Sequence, residues 1–157
     1  MKETYHRHLD ESIQLELNLA KLYTLYHDAS EEDEDFWWQL AMEERGHASL
    51  LQQEKKQPQP ETFFPGNLLA KDLEVLQKAN DRIKSLIDAF QKQPVPRAER
   101  FMAALELELS AGESHYQEFL DSPTESAAAS IFKQLNQEDR DHALRIREYM
   151  EENGLGA

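Results

Sequence analysis

The feature that most constrains this chain is a helical hairpin pattern that occurs twice. Leu15-Glu16-Leu17-Asn18-Leu19 matches Leu105-Glu106-Leu107-Glu108-Leu109, and Tyr26 then falls on Tyr116. Met42-Glu43-Glu44-Arg45-Gly46-His47-Ala48 matches Gln137-Glu138-Asp139-Arg140-Asp141-His142-Ala143, with Trp37 on Phe132, Leu40 on Leu135 and Leu51 on Ile146. The copies need a few residues of slack: Glu16 precedes His47 by 31 positions, and Glu106 precedes His142 by 36. A repeated amphipathic hairpin predicts two such units packed together, an all-α four-helix bundle with pseudo-twofold symmetry.

Punctuation places the elements. Bundle helices are expected at about 4–28, 31–57, 97–121 and 123–153, with a crossover helix at about 67–93, all in one domain spanning 1–157. Ser30 reads as an N-cap before the acidic first turn Glu31-Glu32-Asp33-Glu34. Pro58, Pro60 and Pro65-Gly66 break the second helix, and Pro94-Val95-Pro96 ends the third. Ser122-Pro123-Thr124-Glu125 combines a cap, a proline at the first helical position and an acid three residues on, while Gly154 is the stop. The short connections at 28–30 and 121–123 predict antiparallel neighbours.

Composition removes whole classes of function. With no Cys among 157 residues, disulfides, thiolate metal sites, iron–sulfur clusters and cysteine nucleophiles are ruled out. A net charge of −14 argues against nucleic acid and against an anionic membrane surface. The start, Met1-Lys2-Glu3-Thr4-Tyr5-His6-Arg7-His8, carries no apolar run, and no stretch approaches the ~20 apolar residues of a membrane span. A cytoplasmic protein is expected. A phosphate loop, a serine-hydrolase elbow and a zinc His-Glu-x-x-His motif are all missing from the sequence.

The helical wheel then shows acids where acids are costly. In the second helix Glu44 falls inside the arc of Phe36, Trp37, Leu40, Ala41, Ala48 and Leu51, with His47 on its edge and Glu43 outside. In the last helix Asp139 and His142 fall inside the arc of Ile131, Phe132, Leu135, Ala143, Ile146 and Met150, with Glu138 outside. Glu16 is flanked by Leu9, Ile13, Leu19, Ala20 and Tyr23. The fourth helix has a broad face of Phe101, Met102, Leu105, Leu109, Tyr116 and Leu120; Glu106 and Glu113 lie toward one side of it and Glu108 on the opposite flank. A lone ionised carboxylate in a core costs several kcal/mol, and four together repel. Two divalent cations would answer both problems, and a His three residues after a carboxylate reaches the same region. One Glu from each of two helices plus Glu-x-x-His from each of the other two is the known template for a ferritin-like di-metal site.

On Glu16 with Tyr23, Glu44-Arg45-Gly46-His47, Glu106 and Asp139-Arg140-Asp141-His142, the sequence resembles the ferritin-like superfamily in its rubrerythrin-type di-iron-carboxylate branch. The resemblance covers roughly 3–56 and 97–152. It implies a ferritin-like bundle with two iron ions. Glu44 and Asp139 would be shared, His47 and His142 would bind one iron each, and Glu16 and Glu106 would be terminal ligands. Members of the family reduce hydrogen peroxide or dioxygen, oxidise Fe(II), or activate oxygen. The donor set itself suits Fe, Mn or Zn, and the resemblance favours iron.

Three departures stand out. Asp139 occupies the place of the usual Glu, which implies either a site weakened by the shorter arm or, with a distorted helix, Glu138 in its place at i+4. No rubredoxin-like Cys domain is present, so electrons must come from an external donor, and the charge of −14 favours one with a basic surface. Ala111-Gly112-Glu113 resembles the rubrerythrin motif around a ligand Glu, making Glu113 a rival to Glu106; the repeat register and the spacing to His142 favour Glu106. Beyond the ligands, Tyr23 is a candidate neighbour of the metals. His6, His8, His27 and His115 read as non-ligands, the first two in a frayed terminus, and Trp37 and Trp38 read as packing. The expected function is a peroxidase- or ferroxidase-type redox protein, working as a homo-oligomer, a dimer. The competing readings are iron storage in a hollow shell, a substrate monooxygenase, and a non-catalytic bundle that has lost its metals.

Overall fold

The computed structural model describes residues 2–56, 66–109 and 141–156. All regular structure among them is helical. α1 spans Lys2–Ala29, α2 Glu34–Lys55, α3 Gly66–Lys92 and α4 Arg97–Leu107. A wide, π-type turn follows α4 at 108–109, and a C-terminal helix covers 141–152. The expected helices at 4–28 and 67–93 match α1 and α3 closely. The caps at 122–125 lie outside the described residues.

α2 begins later than its acidic run suggests. Residues 31–33 form a turn, with Asp33 N–H donating to Ser30 O at 3.3 Å. The reason is Asp33, which is buried although its neighbours Glu31, Glu32, Glu34 and Asp35 are exposed. Arg97 grips it with two bonds of 2.8 and 2.7 Å, and the Tyr149 hydroxyl donates a third at 2.7 Å. This clasp ties the α1–α2 turn to the start of α4 and to the C-terminal helix. It holds the Asp33 carboxyl below its usual range, the Arg97 and Tyr149 bonds outweighing the cost of burial.

Contacts at several heights fix the helix directions. Tyr23 lies on Trp37 while Asp10 pairs with Lys55, so α1 and α2 are antiparallel. Arg100 lies over Phe90 while Arg82 pairs with Glu106, so α3 and α4 are antiparallel. Phe36 stacks on Tyr149 while Glu43 pairs with Arg145, so the C-terminal helix opposes α2. Tyr26 meets Phe90 while Glu11 accepts from Asn80, so α1 and α3 are parallel; α1, α3 and the C-terminal helix thus run one way, and α2 and α4 the other. This is a helical bundle in which α1 packs on both α2 and α3.

One end of the bundle is aromatic. Trp37 is fully buried among Tyr23, Tyr26, Phe36 and Phe101, with centroid separations of 5.6, 5.0, 5.4 and 4.5 Å. Asn18 and Asn80 carry polar pairing between α1 and α3: Asn18 donates to Asn80 Oδ1 at 3.0 Å, and Asn80 to Glu11 Oε2 at 2.8 Å. The C-terminal helix closes with Gly154 at φ 65°. There Leu155 N–H returns to Met150 O at 2.8 Å and Gly154 N–H to Glu151 O at 3.3 Å, a Schellman stop in which glycine avoids a Cβ clash.

Candidate metal centre

Along the inner face of α1, apolar residues alternate with His8, Ser12 and Glu16, all buried. Their spacing of four keeps them on one side of the helix. His8 is therefore not in a frayed end: α1 already includes it, and burial lowers its pKa to about 4. Glu16 is the first carboxylate to reach the bundle centre. α2 supplies Glu44 and His47 from one face, three residues apart, and the C-terminal helix supplies His142.

The fourth helix contributes Glu108, not Glu106. Glu106 is exposed and pairs with Arg82 at 2.7 Å, whereas Glu108 is only 1% exposed. The inward reading of Glu106 is thereby corrected, and the cause lies in the sequence Leu105-Glu106-Leu107-Glu108-Leu109. It repeats every two residues, so it can be laid on Leu15-Glu16-Leu17 in two registers. Two residues are about 200° on a helix, so the wrong register puts the carboxylate on the opposite face. Phe101, Ala104 and Glu108 share the buried side, while Met102, taken as part of the inner face, is 58% exposed. Asp139, Glu113 and Glu138 lie outside the described residues.

The five side chains form two groups that share Glu44. One is Glu16, Glu44 and His47; the other is Glu44, Glu108 and His142; within each, one donor atom per residue lies within 4.8 Å of the others. His47 Nδ1 stands 3.4 Å from Glu16 Oε2 and 3.4 Å from Glu44 Oε2. His142 Nδ1 stands 2.8 Å from Glu44 Oε1 and 3.4 Å from Glu108 Oε1. Glu44 therefore turns one oxygen toward each imidazole. The two rings are stacked, with centroids 5.4 Å apart and planes 17° from parallel. Neither Glu44 oxygen makes a hydrogen bond of ordinary geometry among the described residues. Buried carboxylate oxygens converging in this way suit a cation better than one another.

Electrostatics within the cluster are strong. Burial alone would lower His47, but hydrogen bonding and charge from Glu16 and Glu44 prevail and push it up to about 12. His142 is raised for the same reason, against its burial, by Glu44 and Glu108. Burial opposes the ionisation of Glu44, yet Glu16 and the two imidazoles hold it well below the usual carboxylate range. Glu108 goes the other way: burial and then the Glu44 charge raise it. Tyr23 Oη donates to Glu108 Oε1 at 2.7 Å, and burial with that adjacent charge raises the phenol well above its ordinary value.

Behind His142 stands Glu43. Its carboxylate accepts from Arg145 Nη1 and Nη2 at 2.8 and 2.9 Å, and its Oε1 lies 3.5 Å from His142 Nε2. His142 and Arg145 together hold it ionised, with a pKa lowered to about 2. Sequence periodicity set Glu43 aside as an outward residue, and it carries no signal that could have found this contact. Glu108 did carry one, the seven-residue interval from Phe101.

No helix among the described residues is long and apolar enough to cross a membrane. Comparison of the chain with protein-family models, with curated proteins and with solved structures finds no match in any of the three.

Proposed function

We propose that this chain is a di-metal-carboxylate redox protein of the rubrerythrin-like kind, with two iron ions as its cofactor, reducing hydrogen peroxide or dioxygen. One observation carries the reading. A single buried carboxylate, Glu44, faces two imidazoles, and each imidazole meets a further carboxylate from a different helix. The helix directions support it, since ferritin-like bundles have a single long crossover, the place α3 takes here.

Glu16 and His47 would hold one ion, Glu108 and His142 the other, and Glu44 both. Asp139 remains the expected second shared carboxylate. Two iron ions held there would offer two electrons for the reduction of an O–O bond, restored by the external donor. The chain's own residues prepare the place. His47 and His142 must surrender their protons to bind, so uptake releases protons. Leu19 and Leu40 are buried and keep bulk water from that side. Tyr23 holds Glu108 in orientation through its hydroxyl.

Metal analysis of protein expressed with iron, alongside its visible spectrum, tests the proposal. The expected result is about two irons per chain and a near-ultraviolet ferric absorption that bleaches on reduction and returns with peroxide. Glu44→Ala should lose metal and oxidase activity together, and retention of two irons would contradict the assignment. A second reading has its own support. His47 and His142, both charged, can balance Glu16 and Glu44 without any metal, giving a structural ion-pair cluster. A folded protein that stays metal-free after reconstitution would favour it.

A further inference from the structure

We propose that Trp37 is an electron relay between the buried Glu/His cluster and the surface at Tyr149, carrying oxidising equivalents out of the bundle when hydrogen peroxide reacts and reductant is short. The inference rests on the metal reading above and gives that site an electron path.

Trp37 is fully buried, and its Nε1 finds no hydrogen-bond acceptor among the described residues. An unsatisfied buried donor is costly, and phenylalanine packs in an aromatic core without one. Burial of apolar area therefore explains the rings around Trp37 but not an indole at their centre. What an indole has and a phenyl ring lacks is ready one-electron oxidation.

The contacts of Trp37 run in two directions. Inward, its ring stacks on Tyr23 at 5.6 Å, and the Tyr23 hydroxyl donates to Glu108 Oε1 at 2.7 Å. Outward, it meets Phe101 at 4.5 Å and Phe36 at 5.4 Å, and both of those rings stack on Tyr149, at 5.3 and 4.2 Å. Tyr149 is half-buried, so this end reaches the surface, and its hydroxyl donates to Asp33 Oδ1 at 2.7 Å. Tyr26 also touches Trp37, at 5.0 Å, but is buried.

Reduction of peroxide to two waters takes two electrons and two protons, the protons coming from solvent. When one electron is lacking, Trp37 gives it up toward Glu108 through the Tyr23 ring, whose hydroxyl keeps its proton. With no acceptor at its nitrogen, Trp37 keeps its own proton and becomes a radical cation. Tyr149 returns an electron to Trp37 through Phe36 or Phe101 and passes its hydroxyl proton to Asp33. An oxidised phenol is a strong acid, so even a carboxylate held by Arg97 accepts that proton. An external one-electron reductant then restores Tyr149 at the surface, and Asp33 gives the proton back.

The chain has two Trp and no Cys. Trp38→Phe therefore leaves Trp37 as its one indole, and Glu152→Cys provides a unique thiol for a ruthenium photo-oxidant, one turn from Tyr149. In the metal-free full chain carrying both changes, a flash should produce the optical band of a protonated indole radical, and Trp37→Phe should lose it. In the iron-loaded wild type mixed with peroxide and no reductant, rapid-freeze electron paramagnetic resonance should show a tyrosyl radical, identified by ring-deuterated tyrosine. Tyr149→Phe should leave the radical on Trp37. Trp37→Phe should lose both signals with iron content unchanged. A missing or deprotonated indole radical after the flash, no radical in the iron-loaded chain, or a tyrosyl signal that survives either substitution overturns the relay and leaves the metal reading intact. A chain that binds no iron overturns the metal reading, and the relay with it.

Discussion

Two halves of the same interior are equally dry and chemically opposite. Around Trp37 the bundle is aromatic: Tyr23, Tyr26, Phe36 and Phe101 surround one indole. About two helical turns along α2, around Glu44, it is charged: Glu16, His47, Glu108 and His142 converge. Both centres have 0% exposure. Stability accounts for the first, since apolar area removed from water is favourable by roughly 25 cal/mol per Å². It does not account for the second, where each buried ion carries a desolvation cost of several kcal/mol. Five ionisable groups converging in the core beside a well-packed aromatic end are the observation on which the proposed metal reading rests. Tyr23 is the hinge of the comparison, its ring stacked on Trp37 and its hydroxyl on Glu108.

The sharpest break comes from Trp37→Ala. It should cost about 3–5 kcal/mol by opening a cavity, read as a large drop in melting temperature. Metal bound per folded chain should stay at the wild-type value; loss of metal would mean the halves are not separable. Glu44→Gln should do the reverse at the other centre. Metal uptake should vanish, and the metal-free protein should lose on the order of 3 kcal/mol at neutral pH, because two imidazolium groups lose their shared counter-charge.

pH should separate the halves next. In the metal-free protein His47 has its folded pKa raised to about 12 from an ordinary 6.5. Its stabilising contribution is therefore complete below pH 6.5 and is lost progressively as pH rises toward 12. Denaturant melts of the wild type should weaken across that window, and His47→Leu should flatten the trend. Metal binding should show the opposite slope, weakening as pH falls, because protons compete for the same nitrogens.

Smaller effects test the boundary. Tyr23→Phe removes one charge-assisted bond and should cost about 1.5–3 kcal/mol while keeping two metals. The smallest is Glu106→Gln, which should change stability by no more than about 0.5 kcal/mol, since its Arg82 pair is exposed. Its metal content should be unaltered, whereas Glu108→Gln should lose one of the two metals. Equal losses from both variants would undo the assignment of Glu108.

The aromatic half was legible as a list of residues: Trp37, Tyr23 and Phe101 fall on apolar arcs that any helical wheel shows. Helix type and the positions of α1 and α3 followed from proline, glycine and 3.6-residue spacing, which act locally. Glu16, Glu44, His47 and His142 were legible too, because an acid or imidazole inside an apolar stripe contradicts the pattern around it. What local pattern could not decide was register and reach. Leu105-Glu106-Leu107-Glu108-Leu109 offers two carboxylates with identical neighbours, and packing against α1 and α3 selected Glu108 for the interior and left Glu106 to Arg82. Asp33 sat unmarked in a run of acids until Arg97 and Tyr149, distant in sequence, arrived beside it. Glu43 looked like an outward residue on α2 and found His142 and Arg145 on another helix. Sequence alone determined which faces must be buried and that carboxylates would be buried with them. Tertiary structure decided which carboxylate, because a side chain's electrostatic partners come from other helices, and their height and rotation are set only when the bundle closes.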